Sequence, residues 1–236
     1  MTDRTREDYV KLTEHWDMAF AMPEEGYRCD AQASEEDLRE MAPSEKLYVA
    51  ARSLGNCRRV LDYGCGSGWG GMTAAMAGCS RAVCADVVPN AVKMTAYYSS
   101  LFGTRSRVLP VCIDESWLGN VPSGTYDGII CSNVLDVVPP EMADGILRDM
   151  VRVASGDARI VVGLNYYMKT DQVSTRGFEV KNGNMIYIGG VLRLVNRTDE
   201  EWTDMLSSLF TVEKLDHFAW PGETTETRRL FFLKTK

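Results

Sequence analysis

One segment constrains this chain more than any other. In Val60-Leu-Asp62-Tyr-Gly64-Cys65-Gly66-Ser-Gly68-Trp-Gly70-Gly71 an apolar run breaks into closely spaced glycines, and the helical pattern Met72 to Met76 follows. It reads as a strand, a turn and a helix start. The missing Cβ atoms of such a turn let a ligand lie directly against backbone N–H groups.

The chain downstream repeats the theme. Apolar runs rich in β-branched residues (Arg59 to Tyr63, Arg81 to Ala85, Arg107 to Ile113, Tyr126 to Cys131, Ala158 to Leu164) are separated by helical patterns such as Asn90 to Phe102 and Pro140 to Ala154. Strand and helix in alternation require right-handed crossovers, which predicts an α/β fold with a doubly wound, Rossmann-like, mostly parallel sheet. After the fifth run, Asn182-Gly183 and Gly189-Gly190 divide Phe178 to Val195 into short alternating pieces, the signal of a small antiparallel meander. A helix is expected from Thr198. The runs Leu209 to Phe218 and Arg229 to Leu233, joined through Pro221-Gly222, predict an antiparallel pair at the end of the sheet.

Ahead of this core, Tyr9, Val10, Leu12 and Trp16 give Thr2 to Phe20 a helical spacing. A loop is expected over Pro23 to Ala33, and Ser34 and Ser44 cap one or two helices reaching Leu54. At 236 residues one domain is the expected count, since α/β folds often use such a length whole.

Composition narrows the partners. A chain 45% hydrophobic and 25% charged is of ordinary globular type, and a net charge of −7 disfavours nucleic acid and anionic membrane. Arg58-Arg59 and Arg228-Arg229 are isolated pairs with no basic patch around them. The seven cysteines, Cys29 among them, are odd in number and form no CxxC, so reduced thiols and a cytoplasmic location are expected. Met1 to Asp8 has no apolar stretch and no window reaches bilayer length, so no membrane segment is expected.

The glycine turn alone leaves its ligand open. Gly66 to Gly71 matches GxGxxG, and Asp86 stands at the spacing of a ribose-binding carboxylate, which suits a dinucleotide. Asp62, two residues before Gly64, discriminates: it would meet a pyrophosphate with like charge, yet suits a ligand whose near end carries an ammonium and a sulfonium. No GxxxxGK[ST] is present, so the P-loop reading drops out.

The run Val60 to Gly68 resembles the first motif of class I S-adenosylmethionine-dependent methyltransferases. The likeness continues through Asp86-Val87, Asp114-Glu115 and Tyr126-Asp-Gly-Ile-Ile-Cys-Ser132-Asn133-Val-Leu135, spanning about Val60 to Leu164 in order. The resemblance implies S-adenosyl-L-methionine as cofactor and S-adenosyl-L-homocysteine as product. It implies that Asp62 holds the methionine ammonium and that the Gly64-Cys65-Gly66 backbone lies along the methionine. Asp86 would take the ribose hydroxyls and Val87 the adenine face, Asp114 the adenine amino group, and the Glu115 backbone the ring edge. Asn133 would help to hold the amine through its carbonyl. Tyr9 and Trp16 resemble aromatics that close over the cofactor in this group, with helix packing as the alternative reading. The resemblance also implies a division into an N-terminal helical lid (1–54), a cofactor-binding core (55–165), a substrate-lid insertion (166–197) and a C-terminal helix and strands (198–236).

Methyl transfer from a sulfonium is in-line displacement on an activated donor, so alignment and exclusion of water supply much of the acceleration. A base is required only where the acceptor must lose a proton, and the candidates are Asp136, Tyr166 beside Asn165 and Tyr167, and His15; His217 is the other histidine. No metal is expected, because Ser132-Asn133 and Leu164-Asn165 stand where a magnesium site needs carboxylates. The end of the fourth strand, Ser132-Asn-Val-Leu135, resembles the small-molecule group and lacks the Asn/Asp-Pro-Pro-Tyr/Phe of enzymes methylating base nitrogens. A small-molecule O, N or C acceptor is the expectation, with Tyr166, Tyr167, Phe178, Tyr187 and Trp220 as candidates for an apolar or aromatic pocket. The alternatives are a protein or RNA acceptor, a non-catalytic cofactor-binding regulator and, behind these, an NAD(P)-dependent oxidoreductase. The sequence carries no signal of oligomeric state.

Overall fold

A computed structural model describes residues 2–21 and 32–236. Helices α1 (Asp3–Ala19), α2 (Glu35–Met41) and α3 (Glu45–Arg52) lead into β1 (Arg59–Tyr63), α4 (Trp69–Met76), β2 (Arg81–Asp86) and α5 (Pro89–Leu101). The alternation continues with β3 (Val108–Cys112), α6 (Trp117–Asn120), β4 (Tyr126–Ser132), α7 (Pro140–Val153) and β5 (Ala154–Leu164). Then come α8 (Thr170–Thr175), β6 (Glu179–Lys181), β7 (Met185–Ile188), β8 (Val191–Val195), α9 (Asp199–Leu209), β9 (Thr211–Phe218) and β10 (Arg228–Lys234).

Several helices begin where a hydroxyl side chain takes up a free N–H. Thr2, Ser34, Ser44 and Thr198 accept from the third residue of α1, α2, α3 and α9, and each first turn is acidic, favourable at the positive end of the helix dipole. The loop expected over Pro23 to Ala33 lies outside the described residues except for its last two positions, as does Cys29. The fifth strand starts four residues earlier than its apolar run, because Ala154 pairs with Tyr126 before an irregularity resets the register.

Strand alternation divides the core in two. Leu61 and Tyr63, Ile129 and Cys131, and Ile160 and Val162 point to the face covered by α7 and α9, while Val60, Ile130 and Val161 point to the face covered by α2, α3 and α4. Strands β1–β5 pair in parallel, β10 inserts antiparallel between β5 and β9, and the order is β3-β2-β1-β4-β5-β10-β9. The order reverses at β1 and β4, leaving a crevice past their carboxyl ends.

The meander β6-β7-β8 forms a separate antiparallel sheet. It holds α1 from outside: the Tyr187 hydroxyl donates to buried Asp8 at 2.7 Å, and Arg193 donates to His15 Nε2 at 2.6 Å. From the core side, Asn90 donates its backbone N–H to Asp17 Oδ1 and its side-chain amide to Asp17 O, both at 3.0 Å. So α1 lies clamped across the end of the crevice. Among the described residues no helix is long and apolar enough to cross a membrane.

Candidate active site

The glycine turn is tied to the end of β2. Gly64 and Cys65 donate to Ala85 O at 2.8 and 3.2 Å, and Gly66 donates to Asp86 Oδ2 at 2.9 Å. The other Asp86 oxygen accepts from Val88 N–H at 2.9 Å, and the Thr95 hydroxyl donates to Gly66 O at 2.9 Å. Gly64 has φ +67°, and a Cβ there would stand 2.3 Å from Val134 Cγ2, so neither the conformation nor the space admits a side chain.

Two adjoining cavities open over this turn. The inner one, about 350 Å³, runs past Tyr9, Gly64, Asp86, Val87, Ile113 and Glu115. The outer one, about 320 Å³, shares Tyr9, Gly64, Asp86 and Val87 and adds Gly66, Asn133 and Trp16. These eight of the sequence-predicted positions, Tyr9, Trp16, Gly64, Gly66, Asp86, Val87, Glu115 and Asn133, therefore meet at one cleft.

Three others stand apart from it. Asp62 is buried behind the turn, accepting from Gly71 N–H at 2.8 Å near the start of α4. Burial pushes its carboxyl up to about 7 against the pull of that N–H, and the nearby Asp86 adds to the rise. The Cys65 thiol faces Thr95 Oγ1 at 3.6 Å in the interior, so only its backbone belongs to the turn. Asp114 is exposed and accepts from both the N–H and the hydroxyl of Ser116, which hold its carboxyl below the usual range, while Ile113 and Glu115 line the cleft on either side of it.

Asp86 and Tyr9 face each other's environment. Burial raises the Asp86 carboxyl, and burial with the charges of Glu115, Asp86 and Asp114 pushes the Tyr9 hydroxyl up to about 12. Asn133 is held at φ +58°, its N–H on Gly163 O at 2.8 Å and its Oδ1 accepting from Ser132. Among the described residues its buried Nδ2 has no partner, and the residue lines the outer cavity.

The base candidates lie elsewhere. Asp136 is fully buried: its Oδ2 accepts from Asn165 N–H and its carbonyl from Val195 N–H, both at 2.6 Å, which fixes the turn after β4 and withdraws the carboxylate from the cleft. The Tyr166 ring packs among Met168, Val173, Ile186 and Leu194, and its hydroxyl accepts from Arg176. His15 points at Arg193, and burial together with that cation lowers its pKa. None of the three lines either cavity. Of the aromatics expected to form a pocket, Phe178 packs inside the meander, Tyr187 binds Asp8, and Tyr167 is exposed. Trp220 alone of that group lines the cleft.

Sequence reading missed Phe20, Met41, Pro43 and Val134, which line the outer cavity. Tyr9, Leu12, Thr13 and Trp16 fall on one face of α1 and Phe20 caps its end, a stripe that carries no sign of whether it faces core or ligand. Among the described residues no group of three or more His, Cys, Asp or Glu side chains is placed to hold a metal ion.

Comparison with known proteins points to methyltransferases. Residues 60–156 match a family described as "Methyltransferase domain". The chain is 30% identical over 115 residues to the ubiquinone biosynthesis O-methyltransferase of Xanthomonas campestris pv. campestris (strain B100), covering 48% of this chain and 46% of that protein. The match thus spans about half the length of these curated relatives.

Among solved structures, the Burkholderia thailandensis 1,6-didemethyltoxoflavin-N1-methyltransferase, with its ligand and S-adenosylhomocysteine bound, superposes at a TM-score of 0.69 and 15% identity over 98% of this chain and 90% of that one. The magnesium protoporphyrin IX methyltransferase of Synechocystis PCC 6803, with bound SAH, gives 0.64 and 17% over 99% and 100%. At such identities these structures speak to the fold. Residues 60–156 thus resemble a methyltransferase domain, and the chain shares the fold of these two methyltransferases.

Proposed function

We propose that this protein is an enzyme that transfers a methyl group from S-adenosyl-L-methionine to a small-molecule acceptor. The observation that carries the reading is the single cleft in which the positive-φ glycine turn, Asp86, Val87, Glu115 and Asn133 meet at the carboxyl ends of β1, β2 and β4. The three related proteins named above are methyltransferases, which supports the same reaction class.

The residues fit the cofactor. The backbone of Gly64 and Gly66 would lie along the methionine, in space that a Cβ at Gly64 would fill. Asp86 would accept from the ribose hydroxyls, Val87 and Ile113 would pack against the adenine, and Glu115 would border its edge. Asn133 would border the methionine end, and Asp62, behind the turn, would supply negative charge that favours its ammonium.

S-adenosyl-L-methionine supplies a methyl group already activated on a sulfonium. The chain's own contribution is orientation and exclusion of water: α1 covers the cleft, and apolar side chains make up most of its outer wall. With Asp136, Tyr166 and His15 off the cleft, the acceleration rests chiefly on placement of the acceptor against the methyl group. Calorimetric titration with S-adenosylhomocysteine tests the reading. One site is expected, weakened at least about 100-fold in Asp86→Ala, which loses both ribose contacts and the anchor of Gly66. A folded wild-type protein that does not bind S-adenosylhomocysteine would refute it.

A further inference from the structure

Two indoles in the outer cavity are each backed by a guanidinium. The Arg228 Cζ lies 3.5 Å from the centroid of the Trp220 ring, and the Arg193 Cζ lies 5.2 Å from that of Trp16. Both tryptophans line the cavity and neither arginine does, so the cations meet the cavity only through the rings. Phe20 completes the aromatic wall: it lies against the glycine turn, 3.0 Å from where a Gly66 Cβ would stand, with its ring centroid 6.0 Å from that of Trp16.

The Trp220 wall is built to stay in place. Trp220 and Glu223 close a turn, with Glu223 N–H on Trp220 O at 3.0 Å and Trp220 N–H on Glu223 Oε2 at 2.8 Å. Arg228, 5% exposed, grips the same carboxylate through Nε at 2.9 Å and Nη2 at 2.6 Å, and also reaches Asn165 Oδ1. Its charge is thereby neutralised within the protein, and among the described residues Asp86 is the only charged side chain lining the outer cavity.

We propose that the outer cavity binds an uncharged, electron-rich aromatic ring as the methyl acceptor, with Arg228 and Arg193 as positioning residues that set this preference through Trp220 and Trp16. The proposal rests on the methyltransferase reading. A cation on one face of an indole draws its π density toward itself, so the opposite face attracts a second cation less and stacks better with a ring rich in electrons. A nitrogen lone pair on such a ring can take the methyl while the S–CH3 bond pair returns to sulfur, leaving S-adenosylhomocysteine and a methylated ring with no proton to remove.

The test is equilibrium binding, by calorimetry and by quenching of tryptophan fluorescence, in protein saturated with S-adenosylhomocysteine. Three probes share one ring size: 2-naphthol, 2-naphthoate and protonated 2-(aminomethyl)naphthalene. The neutral probe is expected to bind about tenfold or more tightly than either charged one. Trp220→Leu should weaken 2-naphthol about tenfold, while Trp220→Phe keeps most of the affinity. Arg228→Met should narrow the gap between naphthol and the ammonium probe, a ratio that general loosening does not move, with S-adenosylhomocysteine affinity unchanged. Should either variant fail to fold, Arg193→Met makes the same comparison at Trp16. An ammonium or carboxylate probe that binds as tightly as naphthol, or an unchanged ratio in the arginine variants, overturns the proposal while leaving the methyltransferase reading intact. Failure of wild-type protein to bind S-adenosylhomocysteine overturns both.

Discussion

The Tyr187 hydroxyl on β7 and the Asp8 carboxylate on α1 meet at 2.7 Å in a buried contact between residues 179 positions apart in the chain. Burial and the Asp8 carboxylate push that hydroxyl up to about 12, so it stays a donor at any working pH. Because α1 carries Tyr9, Trp16 and Phe20 into the cleft, the bond joins the meander to the wall of the site. Tyr187→Phe leaves Asp8 a buried acceptor without its donor, at a cost of about 1–3 kcal/mol. Hydrogen exchange is expected to quicken over Asp3–Ala19 with β1–β5 unchanged, and S-adenosylhomocysteine to bind more weakly. Unaltered exchange in α1 would show that the bond does not hold the helix.

Asp62 makes the site sensitive to pH in two opposite ways. Its carboxyl, at about 7 in the folded chain, is raised above its unfolded value, chiefly by burial. Its contribution to stability is therefore full below about pH 4 and is lost as pH rises through about 7. A cofactor ammonium favours the ionised form, so affinity should rise across the same window. Asp62→Asn is expected to flatten both dependences. Thermal melts of ligand-free protein and titrations with S-adenosylhomocysteine, each at pH 5.5 and 8, check this; slopes of the same sign would count against the assignment.

The glycine turn was legible because its demands are local. A strand end, positive φ and a carboxylate about 20 residues on are written in consecutive residues, and Gly64, Gly66, Asp86 and Val87 meet as the spacing implies. Side-chain direction is different. Asp136 follows β4 in sequence just as Asn133 does, yet the turn aims it into the interior toward Asn165 N–H. The insertion's aromatics looked like pocket residues by composition, but a three-stranded meander needs a core of its own, and Phe178 and Tyr166 serve there. Phe20 and Trp220 reach the cleft from opposite ends of the chain, a juxtaposition that only the closed fold creates.

Gly64→Ala should separate the backbone requirement from the rest of the site. The new methyl would meet Val134 Cγ2 at 2.3 Å on a backbone held at φ +67°, and the left-handed conformation alone costs about 1–2 kcal/mol. Loss of S-adenosylhomocysteine binding and a lowered melting temperature are expected. Adding Val134→Ala relieves the clash and not the strain, so recovery should be partial. Gly156→Ala, where nothing lies within 4 Å, is the control. Wild-type affinity in Gly64→Ala would mean that the turn adapts.

Arg229 joins the C-terminal strands to the site. It is 1% exposed, and its guanidinium donates to Asp199 Oδ1 at 2.6 Å, to Arg197 O at 2.7 Å and to the carbonyl of Asn165 past the end of β5. Asp199 in turn takes His217 Nε2 at 2.7 Å, so one fork ties β5, α9, β9 and β10 together. Replacing the cation leaves two carbonyls and a partly buried carboxylate short of donors, a loss of about 3–5 kcal/mol. For Arg229→Met a fall of about 10 °C in melting temperature is expected. Arg229→Lys should fall between, since a single ammonium keeps the charge but cannot reproduce the fork. The Trp220 wall hangs on the neighbouring residue of the same strand, Arg228, so acceptor-probe binding should decline with Arg229→Met at temperatures well below the melt, before S-adenosylhomocysteine binding does. A melting temperature within about one degree of wild type would show that the buried fork is dispensable.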